Sequence, residues 1–434
     1  MTAGFSYPEF TFYYTFSAGL GKIMAFRNID RRLFTILSIV FVQIAGAALI
    51  LPILPLFAER QFNMRPATVT LLVSSFFAAQ FFAGPYLGQL SDRYGRVPIL
   101  VVSQFGSAVS FFMMAAAGGP AMLFAARVVD GITGGNIIVA QAYVTDVTPR
   151  EKRTEALGYI YAAFGLGFVI GPALGGILSA WLGPRMPFVI AGGAALATAL
   201  MSWLLLDETV SRQPIASGRF QRAKLSPAEV ARNYPLVLIL TVAFIGQFGL
   251  GMLQSTFALF SDAVIFRGYS EEAINLGVGL LLAVVGMGQF ITQARLIGPL
   301  KRRFGDARLV IIGTMIRMGG FITFATVLSP WMGAAGALLF AVGMGLMMPP
   351  LQSLATRTVD ESIRGSVLGI YQSSVSLATI ISTAIAGVIY AIQANLPYWI
   401  GAGLSLAVLF PAIMLLRLSN EGKLSWQEQT VSLD

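Results

Sequence analysis

Gly88-Gln-Leu-Ser-Asp-Arg-Tyr-Gly95, followed by Arg96, recurs 210 positions later as Gly298-Pro-Leu-Lys-Arg-Arg-Phe-Gly305, with matches at Gly, Leu, Arg and Gly. A second correspondence falls 211 positions on, where Arg153, Leu157, Gly158 and Gly176 align with Arg364, Leu368, Gly369 and Gly387. Two independent matches at nearly one offset imply that one structural unit is built twice along the chain. The repeated segment is a polar, Gly-bounded loop between long apolar runs, so the unit is a set of apolar helices joined by short turns.

Composition fixes the solvent of those helices. Of 434 residues, 56% are hydrophobic and 11% charged, against roughly a quarter charged in an ordinary soluble domain. A water-soluble fold is excluded, and with it the nucleic-acid reading that a net charge of +9 would otherwise invite. A spanning helix takes about 20 mostly apolar residues, so twelve use about 240 to 280 positions. Apolar runs bounded by charges, Pro and Gly predict helices at 33–57, 68–90, 97–117, 121–145, 156–180 and 186–206. A second set is predicted at 235–260, 273–298, 308–328, 332–354, 365–390 and 396–416.

The expected fold class is therefore an all-α membrane protein with twelve transmembrane helices in two pseudo-symmetric six-helix bundles. The units are residues 33–206 and 235–416, with an N-terminal tail 1–32, a linker 207–234 and a C-terminal tail 417–434. Of the 29 Lys and Arg, all but Arg60, Arg65, Arg185, Arg267, Arg127, Arg295 and Arg317 fall on the tails, the linker and alternate loops. By the positive-inside rule both termini are cytoplasmic, as expected for a plasma (inner) membrane protein. Residues 1–26 lack the basic, apolar and cleavage regions of a signal peptide. Their aromatics fit either an interfacial anchor or sequence upstream of a true start at Met24.

The chain has zero Cys and zero His, so disulfides, thiolate metal sites and imidazole proton carriers are excluded. No metal or cofactor is expected, and proton chemistry falls to carboxylates. Helix four reads Arg127-Val-Val-Asp130-Gly131, which puts Arg127 and Asp130 on one face within pairing reach. Ionisable groups at a helix centre cost about 2.5 to 3.5 kcal/mol each on insertion scales, so the two are expected to pair. Asp130 alone among the acids lies well inside a predicted span, while Asp92, Asp146 and Asp262 sit at edges. It is the leading proton carrier, and a static buried ion pair is the rival reading.

The loop Gly88 to Arg96 resembles the signature loop of the major facilitator superfamily. The resemblance implies a gating latch of Gly88, Asp92, Arg93, Gly95, Arg96, Asp146 and Arg364. Asp92 would sit at the N-terminus of the eleventh helix near 362–365, and Arg96 would pair with Asp146. Gly88 is expected to allow close helix approach and Gly95 a tight turn. In helix five, Gly167, Gly171, Pro172, Gly175 and Gly176 resemble the motif of the superfamily's antiporters, especially proton-coupled drug exporters. The Arg127 position resembles the family's helix-four arginine, which implies that Arg127 tunes Asp130. Gln43 to Pro55 looks like the first helix of tetracycline-type exporters, except that Gln43 stands where those carry Asp. This departure leaves tetracycline itself in question.

The resembled fold places helices one, four, seven and ten around a cavity, where Gln43, Asn136, Gln141, Gln247, Gln254, Gln352 and Gln372 would meet cargo or bond between helices. Arg317 is expected on an outer helix in a structural or snorkelling role, and Arg295 as a snorkelling side chain. The function implied is secondary transport by alternating access with proton-coupled efflux of small amphipathic or drug-like compounds. The partners are that small-molecule substrate, protons and the lipid bilayer, and the chain is expected to act as a monomer. A uniporter or symporter of a small metabolite is the rival within the class, and a non-transporting receptor or scaffold the rival outside it. An ATP-driven pump is disfavoured because no G-x-x-x-x-G-K-[ST] loop occurs, and no enzymatic constellation is present.

Overall fold

The computed structural model describes residues 31–134, 136–149, 153–209, 227–359 and 363–422. The predicted tails, most of the linker, and Ser362 of the expected Asp92 docking point lie outside the described residues. So does the side chain of Asn136.

Among the described residues, eleven helical runs are long and apolar enough to cross a membrane. One of them, Glu271–Ala325, has 55 residues, which would stretch about 80 Å if straight. It breaks at Gly305, whose φ of 76° and ψ of 167° leave the helix, so this run makes two passes and the described chain makes twelve. Pro and Gly set most boundaries. Pro66, Pro120, Met186-Pro187, Tyr234-Pro235, Pro330 and Leu396-Pro397 open helices in the first turn, where a missing N–H costs nothing.

The first pass comprises Arg31–Leu49 and Ile53–Phe62, broken at Pro52, and the second is Pro66–Tyr94. The third is Arg96–Ala115, and the fourth is Pro120–Thr133 continued by Asn136–Val147. Arg153–Leu182 and Met186–Leu205 complete the first half. After a short helix, Pro227–Arg232, the second half opens with Tyr234–Phe260, extended by a π-helical turn at Ser261–Ile265. The eighth pass begins at Glu271 and carries a second π turn, Thr292–Leu296, before the break at Gly305; the ninth ends at Ala325. Pro330–Arg357, Arg364–Ile392 and Leu396–Asn420 are the last three. Several helices overrun the predicted apolar windows. A 29-residue helix such as the second is about 44 Å long, beyond a hydrocarbon core of about 30 Å. Its polar ends therefore reach through the headgroup region, where hydropathy no longer marks them.

Packing repeats with the sequence. In the first half the first pass packs on the fifth and sixth, the third on the fourth and sixth, and the second on the fourth; in the second half the same pairs recur six passes later. The halves meet along two seams, fifth against eighth and second against eleventh, which exchange under the same operation. Trp181, Trp203 and Trp331 stand more than two-thirds exposed at helix ends, as anchors at the two interfaces do.

The core divides into three clusters, and their distribution defines the conformational state. One runs through both halves at the face away from the linker, joining Leu54, Phe57 and Leu72 to Phe257, Phe260 and Val278. The other two lie toward the linker face and stay within one half each: Ile36, Val40, Leu100 and Tyr143 in the first, Leu236, Val310, Leu351 and Tyr371 in the second. Apolar burial thus seals the far face across the halves, while at the linker face each half closes only on itself.

Candidate functional site

The latch loop is built around Gly95, whose φ of 108° is open to Gly and strained for other residues. The second helix stops there, and Arg96 begins the third. The Arg96 side chain folds back to reach Asp146 at 3.0 Å, Ser91 Oγ at 2.8 Å and Asp92. Helices two, three and four are thereby tied at one corner. Asp92 is 60% exposed with Arg96 as its ion partner. Arg93 stacks on Tyr94 and is exposed, and Arg364 donates to the carbonyl of Thr356 at 3.2 Å.

Gly88 does not make the close helix approach expected of it: a Cβ there would meet nothing within 4 Å. The physical reason is the parted linker face: among the described residues nothing packs against this position.

Glu208, which sequence reasoning missed, completes the corner. Its carboxylate accepts from the N–H groups of Arg96 at 2.9 Å and Val97 at 3.1 Å, capping the third helix from across the bundle. Thr209 donates to Asp146 at 3.2 Å. The signal was the acidic pair Asp207-Glu208 at the end of the sixth apolar run, which reads as plain linker without knowledge of which helix start lies beside it.

The fifth-helix glycines serve two neighbours. A Cβ on Gly167 would lie 2.8 Å from Ile44, and one on Gly171 2.6 Å from the carbonyl of Ala45, so these residues and Gly175 admit the first pass. Gly176 faces the other way, toward Asn275 and Gly279 of the eighth pass, and the carbonyl of Pro172 lies against Gly279. Asn275 donates to Ser179 at 3.2 Å on the same seam. The motif therefore joins a contact within one half to a contact between halves.

Arg127 and Asp130 pair at 2.9 Å, with residue exposures of 9% and 5%. The guanidinium lies over the Phe76 ring at 4.1 Å, and the Ser107 hydroxyl of the third pass interacts with the carboxylate. The pair sits inside the first half, between the second, third and fourth passes.

Of the glutamines, Gln43 is buried and accepts from Thr198 at 3.1 Å, bonding between helices rather than toward the space between the halves. Gln247 donates to Thr379 at 3.0 Å. Gln141 and Gln254 are half-buried, and Gln352 and Gln372 are exposed.

Arg317 takes the structural of the two roles expected of it and does not snorkel. It is 1% exposed and donates to the carbonyl of Gly246 at 3.0 Å and to Ser405 at 3.4 Å, tying the ninth pass to the seventh and twelfth. Gly246 leaves room for the guanidinium and Gly343 admits the ninth-pass backbone beside it, and small residues on neighbouring helices are invisible to hydropathy. Arg295 is exposed in its π turn.

Two further ion-pair sites were not anticipated. Asp306, buried just after Gly305, holds Lys301 at 3.0 Å and Arg357 at 3.1 Å. At the far face Arg60 of the first half reaches Asp262 of the second at 3.0 Å, with Glu271 at 3.9 Å.

The family model for the Major Facilitator Superfamily matches residues 36–294 and 270–432. The tetracycline resistance protein, class C, of Escherichia coli is 32% identical over 393 residues, covering 88% of this chain and 96% of that protein. Multidrug resistance protein 2 of Bacillus subtilis (strain 168) is 26% identical over 378 residues, covering 86% and 92%. Among solved structures, a bacterial homolog of the human lysosomal transporter Spinster superposes with a TM-score of 0.72 at 19% identity, covering 91% of this chain and 97% of that one. Twelve passes in two repeated halves, the Gly-bounded loop and these matches lead to one conclusion: the chain is an integral membrane protein of the Major Facilitator Superfamily, a secondary active transporter and not an enzyme.

Proposed function

We propose that this transporter exports small amphipathic or drug-like compounds in exchange for protons, with Asp130 as the proton carrier and Arg127 as its switch partner. The observation that carries the reading is the buried Arg127–Asp130 pair at mid-helix in a chain without histidine. An ionised carboxylate at that depth is held by its guanidinium partner. Protonation removes the attraction and frees Arg127, so one proton changes the packing of three helices.

The tetracycline and multidrug resistance names of the relatives support drug-like cargo. In this reading residues 1–32, 207–234 and 417–434 face the cytoplasm, and the parted linker face is the state that loads cargo. The exposed Gln352 and Gln372 and the half-buried Gln141 and Gln254 are the polar groups offered to it. A monomer in the lipid bilayer is the working unit. A proton moving down 100 mV releases about 2.3 kcal/mol, enough for a roughly fifty-fold ratio of a neutral solute.

The test is transport of a fluorescent cationic dye by reconstituted vesicles under an imposed pH gradient. Asp130→Asn is expected to abolish uphill movement while leaving expression and dye binding in place. Unchanged gradient-driven transport in that variant returns the pair to the static role that a uniporter or symporter would give it.

A further inference from the structure

Buried hydroxyls in these helices mostly turn back onto a carbonyl of their own helix, as Ser255, Thr256, Thr292, Thr314, Thr383 and Ser405 do. Ser103 and Ser110 of the third pass do not. Both are fully buried, and neither hydroxyl has a partner within the protein among the described residues; Ser261, on the seventh pass, stands apart. Between them on the same helix face, at spacings of four and three, lies Ser107, whose hydroxyl interacts with the Asp130 carboxylate. Gly106 of the same pass meets Thr133 of the fourth, one turn from Asp130, so the third and fourth passes lie against each other at this depth. Arg127 Nε, across from the same row, is likewise without a partner. Ser103, Ser110 and Arg127 Nε thus lie on the two packed helices that carry Ser107 and Asp130.

We infer that Ser103, Ser107 and Ser110, bridged by water, form the proton route to Asp130, with Ser103 leading toward the linker face and Ser110 toward the far face. The inference rests on the proposed role of Asp130. Along a helix these serines stand about 6 and 4.5 Å apart, too far for direct hydroxyl bonds of about 2.7 Å and right for one water in each gap. A seam that needed only small side chains would be served by Ala or Gly, without unsatisfied hydroxyls.

In the relay each oxygen takes a proton on a lone pair as it releases its own to the next. Hydroxyls and waters end neutral, and Asp130 alone changes charge. Arg127 is its charged neighbour, while the second pass presents Phe76 and Gln80.

The experiment is a pH jump on the purified full chain in lipid nanodiscs, followed by the infrared band of the protonated carboxyl that Asp130→Asn removes. The double variant Ser103→Ala/Ser110→Ala, which interrupts both arms, is expected to slow the rise of that band by at least about tenfold, with the titration midpoint unchanged and Thr at both positions restoring the rate. Should an Ala variant fail to fold, Val against Thr at the same position carries the comparison, since the pair differs by a hydroxyl. Hydroxyl-free variants that relax at the native rate overturn the route. A native protein without an Asp130 band overturns instead the assignment of Asp130 as carrier.

Discussion

The two latch corners are one scaffold carrying opposite charges. In the first half Gly95 breaks the chain, Arg96 follows it, and the ion partner at the end of the fourth pass is Asp146, with Ser91 behind. In the second half Gly305 breaks the chain, Asp306 follows, and the partner at the end of the tenth pass is Arg357, with Lys301 in the place of Ser91. Backbone and spacing are conserved between the copies; the sign is inverted. Geometry sets where the pair must be, because a broken helix has to be clamped to a neighbour. Charge is free to swap so long as the pair stays matched. The inversion also keeps the two corners unlike, so that the facing halves do not present the same sign at the same height of the linker face.

The largest effect expected is from reversing one member. Arg96→Asp brings a fourth acid beside Asp92, Asp146 and Glu208 and should abolish stable insertion or transport. Adding Asp146→Arg should restore much of it, measured as folded yield and dye efflux. A double variant no better than the single would show that more than matched charge is at work.

Next in size is Asp306→Ala. Its side chain is 3% exposed while Lys301 and Arg357 are about half exposed, so its partners can turn to water and the loss is about 1 to 3 kcal/mol. It should appear as a lowered melting temperature in detergent, with Asp306→Asn milder.

The glycines separate the corners further. Ala at a positive φ costs about 1 kcal/mol at either site. At Gly95 a Cβ also collides with the Glu208 carboxylate, whereas at Gly305 it meets nothing within 4 Å. Gly95→Ala should therefore lower the melting temperature more than Gly305→Ala, and equal shifts would remove Glu208 from the account.

The smallest effect belongs to the far face. Arg60→Gln removes the ion contact with Asp262 and Glu271 but leaves the apolar seal, so the far-open population should rise only severalfold, about 1 kcal/mol. Because the chain contains no cysteine, labelling of a single cysteine introduced near Phe57 reads this directly.

Much of this was legible in the sequence. The 210-residue offset between Gly95 and Gly305 announces the duplication, and the Arg127–Asp130 spacing announces the pair. Both follow from local rules, helix period and the cost of charge in lipid, that act on neighbours along the chain. Glu208, Asp306 with Arg357, and Arg60 with Asp262 were not legible. Each joins residues 50 to more than 200 positions apart, and each partner read alone is an ordinary helix-end charge. Arg317 was legible only as structural or snorkelling, and the choice between the two rests on Gly246 and Ser405 of other helices, which bond it inside the bundle.

The order of residues by itself determined the membrane as solvent, the twelve passes and the twofold repeat, because hydropathy and chain-breaking glycines are properties of short segments. Only the tertiary structure decided which face is sealed and which charge clamps which helix. Those outcomes depend on apolar clusters and ion pairs assembled from both halves, and no single helix contains the information to choose among them.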